Sequence, residues 1–417
     1  MGSFSIPLSG LTAAQDQLQS VSNNLSNLNT DGYKDQNVLF GDIFAQTGAV
    51  NGSGDPMQTG LGVSPDATVS NFSDGTINPT GIPSNMALSG AGFFAVRNAD
   101  GSQSYTRAGD FMTNNAGYLN TPAGDLVLGY PAVNGVVKTS APLQPLQVGT
   151  GVTIPAVATS TVNISANLNS NTSATDPNPT STLAIYDTLG AQHELTVTYS
   201  KTGSNTWSYT VTIPTADLAG GGSTTTGNTT VGSGNLNFDG QGNLTSITGV
   251  VPISIPSYAD GATAPQNITG PFAAPPNSSI TQTSAPSATS ATTQNGYASG
   301  TLQTYSIESD GTIQGTFSSG KTLALGQVAV ATFANNQGLS AAGNNNFNPT
   351  AASGSPVIGI GGTGGRGTIT GGAVEQSNVD IATEFSKLIV AQQAYSANAK
   401  MVTTAQAMLQ TTIDMKQ

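Results

Sequence analysis

The 417-residue chain has no cysteine and one histidine, and only 8% of its residues are charged. Without cysteine there is no disulfide framework, no thiolate nucleophile and no thiolate metal site. Ten Lys and Arg residues stand against 22 acidic ones, which gives a formal net charge of −12. So few cations cannot neutralise a phosphate backbone or hold an anionic membrane surface. The composition therefore argues against nucleic acid and membrane partners.

Long apolar runs are also missing. No run approaches the roughly 18 apolar residues of a spanning helix, so no membrane insertion is expected. The opening residues, MGSFSIPLSGLTAAQ, lack a basic start and a continuous apolar core, so no cleaved signal peptide is predicted. What is present is Gly (51 residues) and Pro (22 residues) together with much Thr and Val. This composition favours turns and β-structure in several domains.

A heptad pattern near the N-terminus predicts a helix over residues 8–28. Its apolar positions follow alternating steps of three and four residues, as in a coiled-coil seam. Pro7 suits the first turn, and Asn29 to Gly32 supply the stop. The seam consists of Leu11, Ala14, Leu18, Val21, Leu25 and Leu28.

The C-terminal residues repeat the pattern over a longer stretch. Ser377 and Asp380 offer a cap at the start of this second helix. Its seam consists of Ile381, Phe385, Leu388, Gln392, Tyr395, Ala399, Val402, Gln406, Leu409 and Ile413.

Two interpretations of these helices are open. Each could be an ordinary amphipathic helix on a globular core. However, the opposite faces carry Ala, Ser, Asn and Gln instead of the Glu and Lys of exposed coiled coils. Small neutral side chains allow burial on both faces without the cost of an unpaired charge. The sequence therefore predicts that the ends pair as a coiled coil and polymerise with copies of the chain.

The middle of the chain predicts β domains nested between the helices. Hairpin signals begin near Phe93, and Val328 to Phe333 is expected to be a buried strand. The stretches 169–181 and 273–294 look like linkers or surface loops. The fold class is thus mainly β with α-helical termini. The predicted domains are 1–30 plus 378–417 (helical coiled coil), 31–80 plus 360–377 (extended connector), 81–149 plus 295–359 (β domain) and 150–294 (inserted outer β domain).

The sequence gives only weak signals for catalytic residues. His193 shares strand parity with Leu195 and is expected to be a plain strand position. Residues 359–364 match G-x-G-x-x-G, but no helix follows, so a loop is predicted. Glu308 and Asp310 are better explained by a hairpin turn than by glycoside chemistry. Trp207 is expected in the core, and the sequon at Asn243 is expected by chance. No catalytic, cofactor or metal site is predicted, and the chain is not expected to be an enzyme.

The two ends carry motifs that resemble those of the flagellar rod and hook proteins. The closing block runs from Glu375 to Asp380 and continues through Gln392, Tyr395 and Asn398 to Lys400. The opening block includes Ser9, Gly10 and Leu11, and its signature residues are Ser22, Asn23, Asn24, Asn29, Thr30, Gly32 and Tyr33.

This resemblance implies a structural subunit in the extracellular part of the bacterial flagellum. It implies type III export through the flagellum's own channel without a cleaved signal peptide, and self-assembly beneath a hook cap. The product would be a flexible helical tube, a universal joint that transmits motor torque for motility. The helices would line the tube and the β domains would surround them. Implied partners are copies of the chain, the hook cap, the distal rod, the hook–filament junction proteins and the export apparatus.

Within this family, the length and the inserted domain favour a hook subunit over a distal rod subunit. The long stretch from Gly48 to Gly62 keeps the distal rod open as an alternative, because a similar connector stiffens that rod. A surface adhesin or passenger domain would need a signal peptide or anchor. A secreted polysaccharide-acting enzyme would need clustered carboxylates and aromatics.

Overall fold

The protein was analysed as a computed structural model, which describes residues 2–43, 46–50, 56–149, 151–173, 175–220, 227–249, 252–273, 275 and 278–415. The chain forms two compact units. Unit 1 comprises Met1–Thr150, Thr304–Gly315 and Thr322–Gln417, and unit 2 comprises Gly151–Gln303 and Thr316–Lys321. The predicted fold class is confirmed, because the described chain is mainly β with one long helix near each end.

The two long helices are α1, Gly2–Ser26, and α2, Ile381–Asp414. α1 begins earlier and ends earlier than predicted, so Pro7 lies inside the helix instead of in its first turn. At this position Pro7 lacks the N–H that would bond to the carbonyl of residue 3, so the start of α1 has one hydrogen bond fewer than a regular helix. Asp380 caps α2 as predicted, since its Oδ1 accepts a hydrogen bond from the Thr383 N–H at 3.0 Å. Neither helix, as far as it is described, is long and apolar enough to cross a membrane.

The strands follow in chain order. The first group is β1 Gln36–Asp42, β2 Gln46–Val50, β3 Pro56–Thr59, β4 Val63–Ser70, β5 Ile77–Pro79, β6 Met86–Ser89, β7 Phe93–Arg97, β8 Gln103–Thr106, β9 Met112–Thr113, β10 Leu119–Asn120, β11 Leu126–Val133, β12 Val136–Val137 and β13 Gln144–Pro145. The second group is β14 Thr153–Ile154, β15 Val162–Asn169, β16 Thr180–Tyr186, β17 Gln192–Lys201, β18 Thr206–Pro214, β19 Asn228–Phe238, β20 Leu244–Gly249, β21 Ile253–Ile255, β22 Gln266–Ile268, β23 Ile280–Thr283 and β24 Ala288–Gln294. The third group is β25 Gly300–Ile307, β26 Thr312–Phe317, β27 Thr322–Thr332, β28 Ser340–Gly343, β29 Asn346–Asn348, β30 Val357–Ile360, β31 Thr368–Gly371 and β32 Ala373–Glu375. Short 3₁₀ turns occupy Thr215–Asp217 and Asn336–Gly338.

In unit 1, the main sheet contains the strand order β27-β11-β7-β8-β29-β28. β27 carries the strand predicted from Val328 onward, and residues 328–331 are fully buried. Phe94, Val96 and Val127 pack with Val328 in one core cluster. This sheet is the scaffold on which the two ends of the chain meet.

The segment predicted as an extended connector is paired instead. β1 runs antiparallel to β4 from Gln36↔Ser70 to Asp42↔Val63. β5 and β6 pair with β32 and β31, which return from the far end of the chain. The Gly-rich composition belongs to turns between strands, and pairing satisfies backbone groups that an unpaired segment would leave open. Residues 51–55 of the Gly48 to Gly62 stretch lie outside the described residues.

Unit 2 contains a five-stranded antiparallel sheet in the order β16-β17-β18-β19-β20 and a three-stranded sheet in the order β23-β15-β24. Burial alternates along β17 and β18, so one face of the larger sheet covers the core. The linker expectation for 273–294 was wrong where the structure describes it, since β23 and β24 lie there. β24 is built from Ala, Thr and Ser, so no apolar alternation announced it.

Candidate functional site

α1 and α2 pack against each other in opposite directions. Asn24 of α1 contacts Glu384 of α2, and a Cβ built on Gly10 would lie 2.9 Å from Nδ2 of Asn398. Residue numbers therefore decrease along α1 in the direction in which they increase along α2. Gly10 permits this close approach because it has no side chain. The terminal helices thus form an antiparallel pair within one chain.

The predicted seam of α1 lies largely on its inner side. Ala14 and Val21 are buried, and Leu11, Leu18 and Leu25 are half-buried. Leu28 is also half-buried but lies in the turn after the helix end.

The predicted seam of α2 divides between two faces. Glu384 and Ala391 are the buried residues of this helix. Leu388, Ala399 and Val402 are half-buried on the same side, whereas the remaining predicted apolar positions are exposed. These exposed positions are Ile381, Phe385, Tyr395, Leu409 and Ile413. Glu384, a polar residue that the prediction left out, is buried on this side because it has hydrogen-bonding partners there.

Large apolar side chains are exposed on more than one side of α2. Besides the predicted positions, Ile389, Val390, Met401 and Met408 have exposed fractions of 52–62%. Isolated exposed apolar residues are ordinary, but many large ones on a single helix mark an interaction surface. We call Ile381, Phe385, Ile389, Val390, Tyr395, Met401, Met408, Leu409 and Ile413 the outer face of α2. The interface role of the predicted residues on this face stays a prediction.

Asn24 is fully buried, and all its hydrogen-bonding capacity is used. Its Nδ2 donates to Glu384 Oε2 at 3.1 Å and to the Gln36 carbonyl at 2.9 Å. Its Oδ1 accepts from Tyr33 Oη at 3.1 Å and from the Gln36 N–H at 2.9 Å. A buried amide with four partners tolerates little movement. Asn24 therefore fixes the position of α2 along α1.

The turn after α1 brings Tyr33 under this network. Gly32 has a φ of +68°, and an added Cβ would lie 2.4 Å from the Ala108 backbone nitrogen. Only glycine fits there. Tyr33 Oη also accepts from Asn23 Nδ2 at 3.2 Å, and the Thr30 hydroxyl donates to the Asn27 amide. The other two signature residues, Ser22 and Asn29, are exposed.

A buried ionic cluster joins the two motifs next to this turn. Glu375 has no exposed surface, and its Oε1 lies 2.7 Å from Lys34 Nζ. Its Oε2 lies 3.3 Å from Arg107 Nη1, and Arg107 also reaches Asp74 at 3.5 Å. The Gly75 N–H donates to Glu375 Oε1 at 2.8 Å. We call Lys34, Glu375, Arg107 and Asp74 the junction cluster.

Burial shifts two pKa values at this junction. Burial, with smaller contributions from Asp35 and Glu384, raises the pKa of Tyr33 to about 12. Burial also lowers the pKa of Lys34, and the neighbouring Glu375 offsets this only in part. Both shifts show that the junction excludes water.

The remaining sequence candidates lie apart from the helix pair. Gly311 and Asp310 form the predicted hairpin turn between β25 and β26, where Asp310 accepts from the Thr312 N–H. Trp207 is fully buried and donates to Gln282 Oε1 at 2.9 Å, so the core prediction is confirmed. His193 lies on the buried face of β17 as predicted, but it contacts carboxylates that the sequence did not reveal.

The remaining two candidates are structural features. Residues 359–364 span the end of β30 and a turn, after which β31 begins. Asn243 is exposed in a turn with Asp239.

Sequence reasoning missed the polar partners of the motifs. Glu384 was passed over because it breaks the apolar heptad, and Arg107 lies in a hairpin far from either end. One signal was available in the sequence, because only 8% of the residues are charged. In such a chain, a charged residue within or beside a motif indicates a specific partner, since charged residues are rarely buried unpaired.

Comparison with known protein families places four segments of the chain. Residues 6–34 match the flagella basal body rod protein family, and 370–415 match the C-terminal family of flagellar basal body rod proteins FlgEFG. Residues 87–167 match the D1 domain of flagellar hook proteins FlgE/F/G, and 153–297 match the D2 domain of flagellar basal body protein FlaE.

Full-length relatives agree with these segments. The chain is 33% identical to the flagellar hook protein FlgE of Escherichia coli, over 99% of this chain and 100% of the relative. It is 31% identical to FlgE of Treponema pallidum, over 98% of both chains. The crystal structure of Helicobacter pylori flagellar hook protein FlgE2 has a similar fold, with a TM-score of 0.52, 16% identity, and coverage of 70% of this chain and 98% of that one. The chain therefore belongs to the flagellar hook protein family, whose members are structural subunits of the flagellum.

Proposed function

We propose that the chain polymerises through α1 and the outer face of α2 into the flexible tube of the flagellar hook, which transmits motor torque to the filament. The single observation that carries this proposal is the number of large apolar side chains left exposed on α2. Phe385, Ile389 and Met408 are among them. A helix in a complete monomer would turn these side chains to its own core.

The size of the outer face suits contact with several copies. α2 has 34 residues and is therefore about 50 Å long. Burying one large apolar side chain contributes about 1.5–3 kcal/mol. A few such residues in each copy are enough to hold neighbouring subunits together when the contact repeats along a tube.

The finer features belong to the same proposal. The proposed domains are the inner helical domain, 1–30 plus 378–417, the connector, 31–80 plus 360–377, the β domain, 81–149 plus 295–359, and the inserted outer β domain, 150–294. Membership of the hook family supports extracellular assembly after export without a cleaved signal peptide. It also supports contacts with the hook cap, the distal rod, the junction proteins and the export apparatus, and a role without catalysis.

The low charge content supports flexibility of the tube. Neutral Ser, Thr and Asn surfaces exchange contacts through water at little cost, whereas buried ion pairs between subunits resist sliding. Charge reversals at scattered outer-domain positions are expected to straighten the tube, and unchanged curvature across such a series would contradict this account.

The test is electron microscopy of negatively stained full-length protein under salting-out conditions. A variant with Phe385→Ser, Ile389→Ser and Leu409→Ser should stay monomeric, because these side chains are exposed and the substitutions leave the junction intact. Leu189→Ser is the matched control, since Leu189 is 62% exposed in unit 2. A truncation that lacks residues 1–30 and 378–417 should also form no tubes.

The shape of the product separates the alternatives. Curved tubes from wild type and control alone support the hook assignment. Straight tubes favour the distal rod. Tubes from the triple variant would refute assembly through the outer face, and isolated particles in every sample would favour an adhesin.

A further inference from the structure

His193, on β17 of unit 2, lies between carboxylates on both sides of its ring. Its Nε2 is 3.2 Å from Asp187 Oδ2, and its Nδ1 is 3.1 Å from Asp217 Oδ2. The side chain is only 8% exposed, and Tyr258 stacks on the ring with centroids 4.6 Å apart. The Nδ1 atom is buried and has no hydrogen bond of normal geometry. The imidazole is thus held firmly among acidic groups, with one nitrogen unsatisfied.

A further carboxylate, Asp260, completes the group on the Nε2 side. One ligand atom each from Asp187, His193 and Asp260 can be chosen so that all lie within 4.8 Å of one another. Asp187 and Asp260 are themselves in side-chain hydrogen-bonding contact. Two carboxylates this close repel each other unless a proton or a cation lies between them. Asp260 is exposed, so an ion can enter from solvent.

We propose that Asp187, His193 and Asp260 bind a divalent transition-metal ion of the Zn²⁺ class, with Asp217 as the residue that orients the imidazole. One nitrogen and two carboxylate oxygens form a three-ligand set that leaves a fourth position for water. Ca²⁺ and Mg²⁺ prefer oxygen ligands throughout, so the imidazole favours a first-row transition ion. The site is independent of the helix pair and of polymerisation.

The geometry needs only a small adjustment to bind. Bonds of about 2.0–2.2 Å place the ligand atoms of a tetrahedral zinc site roughly 3.3–3.5 Å apart. The Asp187–His193 separation of 3.2 Å, at present that of a direct hydrogen bond, is just below this spacing. The exposed Asp260 side chain, whose ligand atom lies within 4.8 Å of the other two, would rotate to complete the set.

The supporting shell matches what metal-binding histidines need. A ligating imidazole usually donates its second N–H to a carboxylate, which fixes the tautomer. Asp217 Oδ2 lies 3.1 Å from Nδ1 without a hydrogen bond of normal geometry, and a small reorientation of its side chain would let it accept this N–H. Asp187 Oδ1 accepts from the Leu189 and Ala191 N–H groups, each at 2.9 Å, which leaves Oδ2 for the ion.

The test is zinc titration of full-length monomer after chelation, followed by calorimetry, with Co²⁺ absorption as a second readout. Wild type should bind one Zn²⁺ per chain and show the visible spectrum of Co²⁺ with nitrogen and oxygen ligands. Asp260→Asn should abolish both signals, and Asp217→Asn should weaken zinc binding about 10–100-fold. Glu194→Gln is the matched control, since it removes the same charge from an exposed position next to His193.

The outcomes separate a metal site from an ordinary hydrogen-bonded histidine. Equal zinc binding by wild type, Asp260→Asn and Glu194→Gln would refute the site, as would no saturable binding in wild type. Asp260→Asn alters an exposed residue, so the metal-free variant should unfold at the temperature of the metal-free wild type. Zinc should then raise the unfolding temperature of the wild type and the control only.

Discussion

Unit 2 covers its apolar side chains, whereas α2 in unit 1 leaves many of them exposed. The core of unit 2 includes Ile185, Trp207 and Val211, each with no exposed surface. Among the described residues of unit 2, Leu189 is the one large apolar side chain that is strongly exposed. Unit 2 thus has a closed apolar core, while the exposed side chains of α2 are available for the subunit contact proposed above.

The two regions also differ in what fixes their geometry. In unit 2, buried and partly exposed residues alternate along the strands, so that one face of the sheet packs on the apolar core. The helix pair and its junction rely on buried polar groups, namely Asn24, Glu384 and the junction cluster. Buried polar groups add less stability than apolar ones, but they penalise every wrong arrangement, as a buried Asn does in coiled coils.

Glu375→Gln should produce the largest effect and should fall on unit 1 alone. The change leaves Lys34 and Arg107 buried without their shared anion, and a broken buried pair costs about 3–5 kcal/mol. Chemical denaturation followed by circular dichroism should show a lower midpoint for the transition of unit 1. The control is Glu194→Gln in unit 2. Equal shifts in two separate transitions, or no shift, would contradict the distinction between the regions.

Ile185→Ala is the corresponding change in unit 2. It leaves a cavity in a fully buried apolar core, which costs about 2–5 kcal/mol. The transition of unit 2 should move to lower denaturant, while tube formation should persist at temperatures where the variant is folded. Loss of tubes by the folded variant would show that assembly depends on the core of unit 2 as well.

Asn24→Leu should cost about 1–3 kcal/mol and should also disturb assembly. Leucine has the same branching and number of side-chain heavy atoms, but its larger apolar side chain leaves Glu384, Gln36 and Tyr33 without their hydrogen-bonding partner. Denaturation measures the stability, and electron microscopy measures whether tubes form. Ser22→Ala, an exposed neighbour on α1, should behave as wild type. If Asn24→Leu formed normal tubes, Asn24 would not be required to fix the position of the helix pair.

Alkaline pH should produce the smallest of these changes in stability, and it should do so in both regions. Burial raises the pKa of Tyr33 in unit 1 and of Tyr199 in unit 2 to about 12, from an ordinary value of 10.0. Above pH 10 the unfolded chain loses these protons while the folded chain keeps them, so stability is full below pH 10 and falls towards pH 12. Denaturation midpoints between pH 9 and 11 measure the slope. The unit 1 transition of Tyr33→Phe should fall less steeply than that of wild type; an identical slope would exclude Tyr33 as the source.

The helices and the β-rich class could be predicted because their signals are periodic. The α1 seam was identified through Ala14 and Val21, both of which are buried. The inward side of α2 was identified only in part, through Leu388, Ala399 and Val402, because a heptad search rewards Phe385 and ignores Glu384. An apolar pattern identifies residues that avoid water, but it cannot separate contact within the chain from contact between chains.

The polar contacts could not be predicted, because their partners are far apart in sequence. Lys34 and Glu375 were both visible in the terminal motifs, yet nothing in either motif indicated that they touch. β23 and β24 were missed for a different reason. β23 is only four residues long, with Ile280 as its one apolar residue, and β24 consists mostly of exposed Thr, Ser and Ala residues, so neither carries a strand signal beyond its backbone pairing with β15.

The hydrogen bond between Asn24 and Glu384 closes a loop of 360 residues. A loop of this length closes late, because contacts distant in sequence form more slowly than local ones. During synthesis from the N-terminus, all residues of unit 2 are made before those of α2, so unit 2 can fold first. The surface proposed for assembly therefore forms only once α2 is present. A chain that is interrupted before α2 would lack this surface and would not assemble.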